Sequence, residues 1–166
     1  MDIYLIQHAE AVSEKEDRAR PLSREGEVTM EKVAALAARL KTSPDFIYHS
    51  EKLRAKQTAE ILARHLGLSD KLRERHGLLP LDPVAPVAQW LKEQAAKELL
   101  GLAIVGHLPF LDKLGSLLIT GKEEFGVISF QNGAIAKLVP TPDGTRYLVQ
   151  SIITRQLAEQ AQTNLR

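Results

Sequence analysis

The sequence predicts an α/β fold, a three-layer α/β/α sandwich around a mostly parallel central sheet. Two short apolar runs, residues 3–6 and 102–105, are continuous rather than alternating, which is the pattern of strands buried on both faces. Strand-like and helix-like segments alternate through the first two thirds of the chain, as parallel strands joined by crossover helices require. Turn signals at Asn132-Gly133 and Asp143-Gly144 fall in the last third and read as hairpin strands that extend the sheet.

The first run stops at Gln7-His8 and so delivers His8 at the carboxyl end of a strand. A charged loop over 13–20 leads to Pro21-Leu22-Ser23. Ser23 is the expected N-cap of a helix that carries Met30, Val33, Ala34, Ala37 and Leu40 at helical spacing. After Pro44, Phe46-Ile47-Tyr48 reads as a second strand that ends in His49-Ser50. The stretch 51–66 holds neither Gly nor Pro and reads as a helix, with Gly67 as its stop. Residues 72–81 are divided between a loop, favoured by their charges and by His76-Gly77, and a brief strand at Leu78-Leu79. Asp82-Pro83 supplies an N-cap and a first-turn proline for a stripe of Val84, Val87, Ala88, Leu91 and Ala95, with Trp90 packed beside it. The run 102–105 ends in Gly106-His107, and a helix follows Leu108-Pro109 through Phe110, Leu111, Leu114, Leu117 and Leu118. Strands are then expected over 127–130, 134–139 and 147–153, and the polar tail after Thr154 is expected to fray.

With 166 residues, 44% of them apolar and 26% charged, the chain has the composition of one globular domain, so residues 1–166 are expected to fold as a single unit. The net charge of +1 gives no ground for binding nucleic acid or a membrane surface through bulk charge. The absence of cysteine removes disulfides, thiol nucleophiles, zinc ribbons and iron–sulfur clusters together. Residues 1–6 show no basic leader or long apolar stretch, and no run approaches a membrane span; a soluble cytoplasmic protein is the expectation. Five histidines are left as the side chains that titrate near neutral pH.

In open α/β sheets, ligands bind beyond the carboxyl ends of the strands. His8 and His107 are both predicted there. His49 also ends a strand but reads equally as a half-exposed turn residue, while His65, near a helix end, and His76 are given no role. A histidine pair in a crevice supports metal ligation, general acid–base catalysis, or nucleophilic attack by one imidazole while the other stabilises charge. For a metal, Glu10 would complete a two-histidine, one-carboxylate set. No HxH or HExxH spacing is present, however, and Arg18, Arg20, Lys52, Arg54 and Lys56 would repel a cation. The same cations suit a phosphoryl group, although a solvated helix face is the ordinary fate of such a charge run. Arg54 is singled out because it follows Ser50 in the first turns of a helix, near its electropositive end.

Four segments carry a resemblance. Residues 4–11, Tyr-Leu-Ile-Gln-His-Ala-Glu-Ala, are similar to the Arg-His-Gly-Glu/Asp-Ala strand end of the histidine phosphatase, or phosphoglycerate-mutase-like, superfamily. Arg20-Pro21-Leu22-Ser23, the segment 50–60 around Arg54-Ala55-Lys56-Gln57-Thr58-Ala59, and Val105-Gly106-His107-Leu108-Pro109 resemble the family's later motifs in the same order. The short chain, without the insertion mutases carry, is most similar to the SixA-type phosphohistidine phosphatases.

The resemblance implies a phosphoglycerate-mutase-like fold and a phosphatase in which His8 accepts a phosphoryl group as a covalent phosphohistidine. Arg54 and His107 would clamp its oxygens, with Arg20 and Gln7 beside the phosphate. Water would then release inorganic phosphate, with no metal or cofactor, and the partner would be a phosphohistidine-bearing protein such as a histidine phosphotransfer domain. No carboxylate stands in His76-Gly77-Leu78-Leu79-Pro80, where mutases place their acid. This favours a leaving imidazole, whose pKa of about 6.5 needs less protonation than an alcohol's. Glu10 is the candidate proton donor and Asp82 the alternative, each also explained as a loop charge or a helix cap. Two departures fall in the first motif. Gln7 replaces the family's arginine and removes a guanidinium fork, at a cost of about 10²–10³ in rate if that fork acts in the transition state. Ala9 replaces a glycine, which matters if a positive φ is needed there. A weakened phosphate- or phosphohistidine-binding module and a small-molecule phosphomonoesterase are the alternatives these leave.

Overall fold

The structure, a computed structural model, describes residues 1–124 and 126–163. Six strands form one mixed sheet: β1 (Asp2–Gln7), β2 (Phe46–His49), β3 (Leu72–Glu74), β4 (Gly101–Gly106), β5 (Ile135–Pro140) and β6 (Tyr147–Ile153). Their spatial order is β3-β2-β4-β1-β5-β6. The first four run parallel, and β5 and β6 are added antiparallel. β1 and β4 lie side by side in register, with Gln7 opposite Gly106, so the residues that follow them emerge together. Every residue of β4 is buried, which is why its sequence is apolar without alternation.

Helices cover both faces. α1 (Arg24–Arg39), α2 (Leu53–Leu66) and α5 (Arg155–Thr163) take one, burying Met30, Val33, Ala55, Ala59 and Ala158 against Tyr4 and Ile6. α3 (Ala85–Ala95) and α4 (Phe110–Thr120) take the other, where Val87, Leu91, Phe110 and Leu114 meet Ile3 and Leu5. Alternate residues of β1 thus feed two cores, and the chain leaves β1 for α1 on one face and β4 for α4 on the opposite face. Between those diverging turns lies the crevice that an α/β switch point creates.

Ser23 caps α1 as expected, its Oγ accepting from Gly26 N at 3.0 Å. Gly26 has no room for a side chain, because a Cβ there would stand 2.0 Å from Glu10 O. Gly67 ends α2 with φ 70°.

Several elements differ from expectation. α2 begins at Leu53 rather than at Glu51. The edge strand of the 72–81 stretch is Leu72–Glu74, where parallel pairing to β2 is available; Leu78-Leu79 form no strand and Leu78 is wholly buried. α3 starts at Ala85, and Asp82 caps the preceding turn by accepting from Leu79 N at 2.7 Å. Residues 127–130 turn instead of extending, with Phe130 N donating to Ile128 O at 3.1 Å while Ile128 plugs the space over Gly115. The tail through Thr163 is helical, because Ala158 is buried and Lys32–Glu159 and Arg155–Glu25 ion pairs at 3.0 and 2.5 Å tie it to α1. Residues 164–166 lie outside the described residues.

Candidate active site

His8 leaves β1 with its backbone N donating to Gly106 O at 3.0 Å, which ties the first turn of the crevice to the second. His8 Nδ1 lies 2.7 Å from Ala9 O. A carbonyl only accepts, so Nδ1 carries the proton and the lone pair of the neutral ring sits on Nε2. Arg54 Nε donates to that Nε2 at 3.2 Å. The His107 ring stands opposite, its centroid 5.0 Å from that of His8 at an interplanar angle of 57°. His107 Nε2 is 2.5 Å from Ser50 Oγ, and His107 is 1% exposed. The structure therefore brings His8, Arg54 and His107 together from β1, α2 and β4.

Burial is the main cause that lowers both imidazoles. His8 is pushed down to about 4, with Arg54 and Arg20 adding repulsion and the bond to Ala9 O opposing it. His107 is pushed down to about 3 by burial and then by His8, Arg54, Lys52 and Arg20. Both rings are neutral at pH 7, and Arg20 and Lys52 are close enough to be felt.

α2 supplies the scaffold of the site. Arg54, Ala55, Thr58, Ala59, Leu62 and Ala63 form its buried stripe, and the three alanines let the helix backbone approach the sheet. Thr58 Oγ1 accepts from Ala9 N at 3.0 Å and donates to Arg54 O at 2.7 Å, holding the turn after His8 against the helix. Gln57 Oε1 accepts from Leu22 N at 2.8 Å and anchors the segment that carries Arg20. Arg20 has φ 48°, a left-handed conformation that non-glycine residues seldom adopt, and its Nε donates to Val12 O at 3.2 Å. α2 has no acidic residue in its first turn and no side-chain cap, yet Lys52 and Arg54 stand there. Two cations at the positive end of a helix dipole are unfavourable until an anion joins them.

The remaining sequence candidates fall as follows. Gln7 Nε2 donates to Asn132 Oδ1 at 2.7 Å, while Gln7 Oε1 is buried without a protein partner. Ala9 is wholly buried and is not among the residues with positive φ, so its replacement of the family's glycine costs no backbone strain. Glu10 Oε1 accepts from Ser23 Oγ at 2.8 Å, which places the carboxylate at the amino end of α1. His49 is 3% exposed, not half-exposed: the alternation of β2 turns it inward with Ile47, and its Nδ1 meets Ser50 O at 2.8 Å. His65 pairs with Glu31 and His76 with Glu51, away from the two rings. Among the described residues no three His, Asp or Glu side chains form a metal-binding group, and no helix is long and apolar enough to cross a membrane. A cleft of about 420 Å³ between α3, α4 and the β5–β6 turn lies at the other end of the sheet and contains none of these residues.

The family model for the histidine phosphatase superfamily, branch 1, matches residues 3–78, the part that supplies His8, Arg20 and Arg54. A Picosynechococcus protein of uncharacterized function is 30% identical over 162 residues, covering 91% of this chain and 96% of its own. The chain belongs to the histidine phosphatase superfamily. Its fold is similar to that of the protein histidine phosphatase SixA complexed with tungstate, at 22% identity and a TM-score of 0.82 over 100% of both chains. It is also similar to a mycobacterial glucosyl-3-phosphoglycerate phosphatase complexed with VO3, at 15% identity and a TM-score of 0.75 over 90% of this chain and 97% of that one. The α/β fold of phosphoglycerate-mutase-like proteins is thus the fold of this chain. Sequence reasoning gave Ser50, Gln57, Thr58 and Asn132 no separate role. Thr58 carried a signal, being polar one turn after Arg54 on a stripe otherwise made of Ala and Leu; Asn132 did not, because Asn-Gly is fully explained as a turn.

Proposed function

We propose that this histidine phosphatase removes the phosphoryl group from phosphohistidine in a partner protein, with His8 Nε2 as the nucleophile. The observation that carries the reading is the fixed tautomer of His8, whose Nδ1 is committed to Ala9 O while the unprotonated Nε2 accepts from Arg54 Nε and stands on the ring opposite His107. Nε2 attacks phosphorus, the bond to the substrate imidazole breaks, and that imidazole leaves with its electron pair and takes a proton from solvent. Water then attacks phospho-His8, the N–P bond breaks, and inorganic phosphate departs while the ring regains its lone pair. Arg54, Arg20 and neutral His107 neutralise or donate to the phosphoryl oxygens during both in-line transfers, so the protein's work is positioning and charge stabilisation.

The substrate class rests on the proton supply. Glu10 is engaged by Ser23, and Glu51, next to Ser50, by His76 at 2.9 Å. A leaving imidazole tolerates that arrangement better than an alkoxide does. Glu10 remains the candidate donor once the Ser23 contact opens. Likeness to the glucosyl-3-phosphoglycerate phosphatase favours a second reading, a small-molecule phosphomonoesterase. Incubation with a phosphohistidine-bearing phosphotransfer domain should release inorganic phosphate with wild type and not with His8→Ala. Equal release from both ends the proposal, and faster turnover of sugar phosphates than of phosphohistidine selects the second reading.

A further inference from the structure

On the α3 side of the sheet, the edge made by β2 and β3 is finished by aromatic rings and cations. Phe46 and Tyr48 of β2 pack with ring centres 6.2 Å apart, and Trp90 of α3 stands edge-on to Tyr48 at 4.8 Å and 82°. Lys71, Arg73 and Arg75 alternate along β3 and its flanks and so share this face. Lys71 and Arg73 lie over Phe46 at 5.9 and 5.5 Å, and the Arg75 guanidinium lies over Trp90 at 4.1 Å. The rings orient the cations without balancing their charge. Lys71 pairs with Asp70 at 3.4 Å, but among the described residues Arg73 and Arg75 have no carboxylate within 4.0 Å. Arg73 is exposed, and its Nη1 is steadied by Asp70 O and Leu72 O at 2.8 and 2.7 Å. Arg75 is half-buried, and its Nε is buried without a partner, so an anion can meet this guanidinium only at its Nη end. Of the carboxylates on neighbouring segments, Glu51 is held by His76 at 2.9 Å, Glu93 accepts from Gln89 at 3.3 Å, and alternation turns Glu74 to the other face of β3.

This stripe begins at the rim of the crevice. β3, β2 and β4 are parallel neighbours, so Arg75 leaves its strand at the same end of the sheet as His107, two strand spacings or about 10 Å from β4. Arg75 N donates to His49 O at 2.9 Å, and the next residue, Ser50, places its Oγ 2.5 Å from His107 Nε2. From Arg75 the cations run down the strand at about 7 Å intervals. We infer that this stripe is a docking surface for an acidic segment of the phosphohistidine-bearing partner, with Arg73 and Arg75 drawing the carboxylates on either side of the phosphorylated histidine. The inference rests on the proposed function. Charge complementarity selects an acidic occupant, and Arg with Tyr, Trp and Phe is the composition of protein interfaces. Guanidinium groups already occupy the ring faces that single-stranded nucleic acid would need for stacking, which favours a protein.

Two synthetic phosphohistidine peptides test this, one with glutamates and one with glutamines at about three to seven residues from the phosphohistidine on both sides, the span an extended chain needs to reach the stripe. At low salt, wild-type kcat/KM should be about tenfold higher for the glutamate peptide, through KM with kcat unchanged. The Arg73→Glu/Arg75→Gln variant should bring the two peptides within about twofold of each other while turning over free phosphohistidine at the wild-type rate, which shows that the crevice is intact. Arg73→Glu alone, at an exposed position, should lower the ratio in the same direction. A variant that keeps the wild-type ratio would assign the preference to the cations of the crevice, and the inference falls. It falls equally if wild type hydrolyses free phosphohistidine and both peptides without preference, although the proposed function then stands. Hydrolysis of neither peptide nor free phosphohistidine by wild type would refute the proposed function and the inference with it. A single-stranded oligonucleotide that inhibits wild type and not the variant would give the stripe to nucleic acid and overturn the inference.

Discussion

Acidification from pH 7 to pH 5 should cost the folded protein roughly 3–4 kcal/mol through His8 and His107. In the unfolded chain both rings titrate near 6.5, so at pH 5 each binds a proton with a free-energy gain of about 2 kcal/mol, RT times the logarithm of one plus 10 to the power 1.5. In the folded protein His8 is held at about 4 and His107 at about 3, so both stay mostly neutral and gain almost nothing. The unfolded state binds more protons throughout this window. Stability therefore rises with pH up to about 6.5, from about 4 for His8 and from about 3 for His107, and the contribution levels off above 6.5. His8 is partly accessible and supplies the smaller share. Urea denaturation at the two pH values, repeated on His8→Asn and on His107→Asn, isolates each ring, because carboxylates and other histidines contribute alike to wild type and variant and cancel in the difference. Each variant should lose up to about 2 kcal/mol of the pH-dependent change. Variants that keep the full wild-type pH dependence would show that the rings titrate normally in the fold, and the account of Nε2 as a lone pair kept free by burial and cations would be wrong.

Three other perturbations follow from the contacts at the site. Arg54→Lys removes the Nε donor to His8 and the planar fork, so kcat/KM on a phosphohistidine substrate should fall about 10²–10³-fold with little change in the urea midpoint; a fall below about threefold would remove Arg54 from the transition state. Thr58→Val strands the buried Ala9 N–H and should cost about 1–3 kcal/mol by urea denaturation, along with activity, whereas an unchanged midpoint would mean that the turn after His8 does not need α2. Gly26→Ala drives a methyl into Glu10 O and should lower the melting temperature by an amount equivalent to about 1–3 kcal/mol; a neutral result would show that the amino end of α1 can move away from the site loop.

The strands that carry the histidines were legible because complete burial leaves one solution in sequence, a continuous apolar run that stops where the chain meets polar residues. Residues 3–6 and 102–105 both do this, and β1 and β4 follow. The edge strand β3 was not legible, because Leu72-Arg73-Glu74 pairs through its backbone on one side only and has two exposed side chains, so no apolar pattern marks it. Leu78 misled for the opposite reason: a wholly buried leucine in a loop has the hydrophobicity of a strand without its pairing. Residues 127–130 look like a strand by composition, but Ile128 is spent on filling the space above Gly115, a tertiary demand invisible to local periodicity. The tail shows the same limit. Its burial comes from Ala158 and its order from ion pairs to α1, neither of which a polar sequence announces.

The near-neutral total charge of the chain takes on a specific meaning once the ion pairs are placed. Lys32, Lys56, Arg64, Lys71, Lys137 and Arg155 each stand within 4.0 Å of a carboxylate. Among the described residues Arg20, Lys52 and Arg54 have no such partner, and these are the three cations that act on the histidine rings. The three cations at the crevice are thus left without a carboxylate to compensate them. The arrangement is costly in the free protein: Arg54 is 9% exposed, the amino end of α2 repels both it and Lys52, and Arg20 sits at a positive φ. The repulsion at the amino end of α2 is one a phosphoryl dianion would relieve on entering. With Gln7 in place of a further arginine, the crevice depends more heavily on these three. A free pocket poised this way favours charge that develops on the transferring group over the neutral parts of a substrate, which is the discrimination that phosphoryl transfer requires.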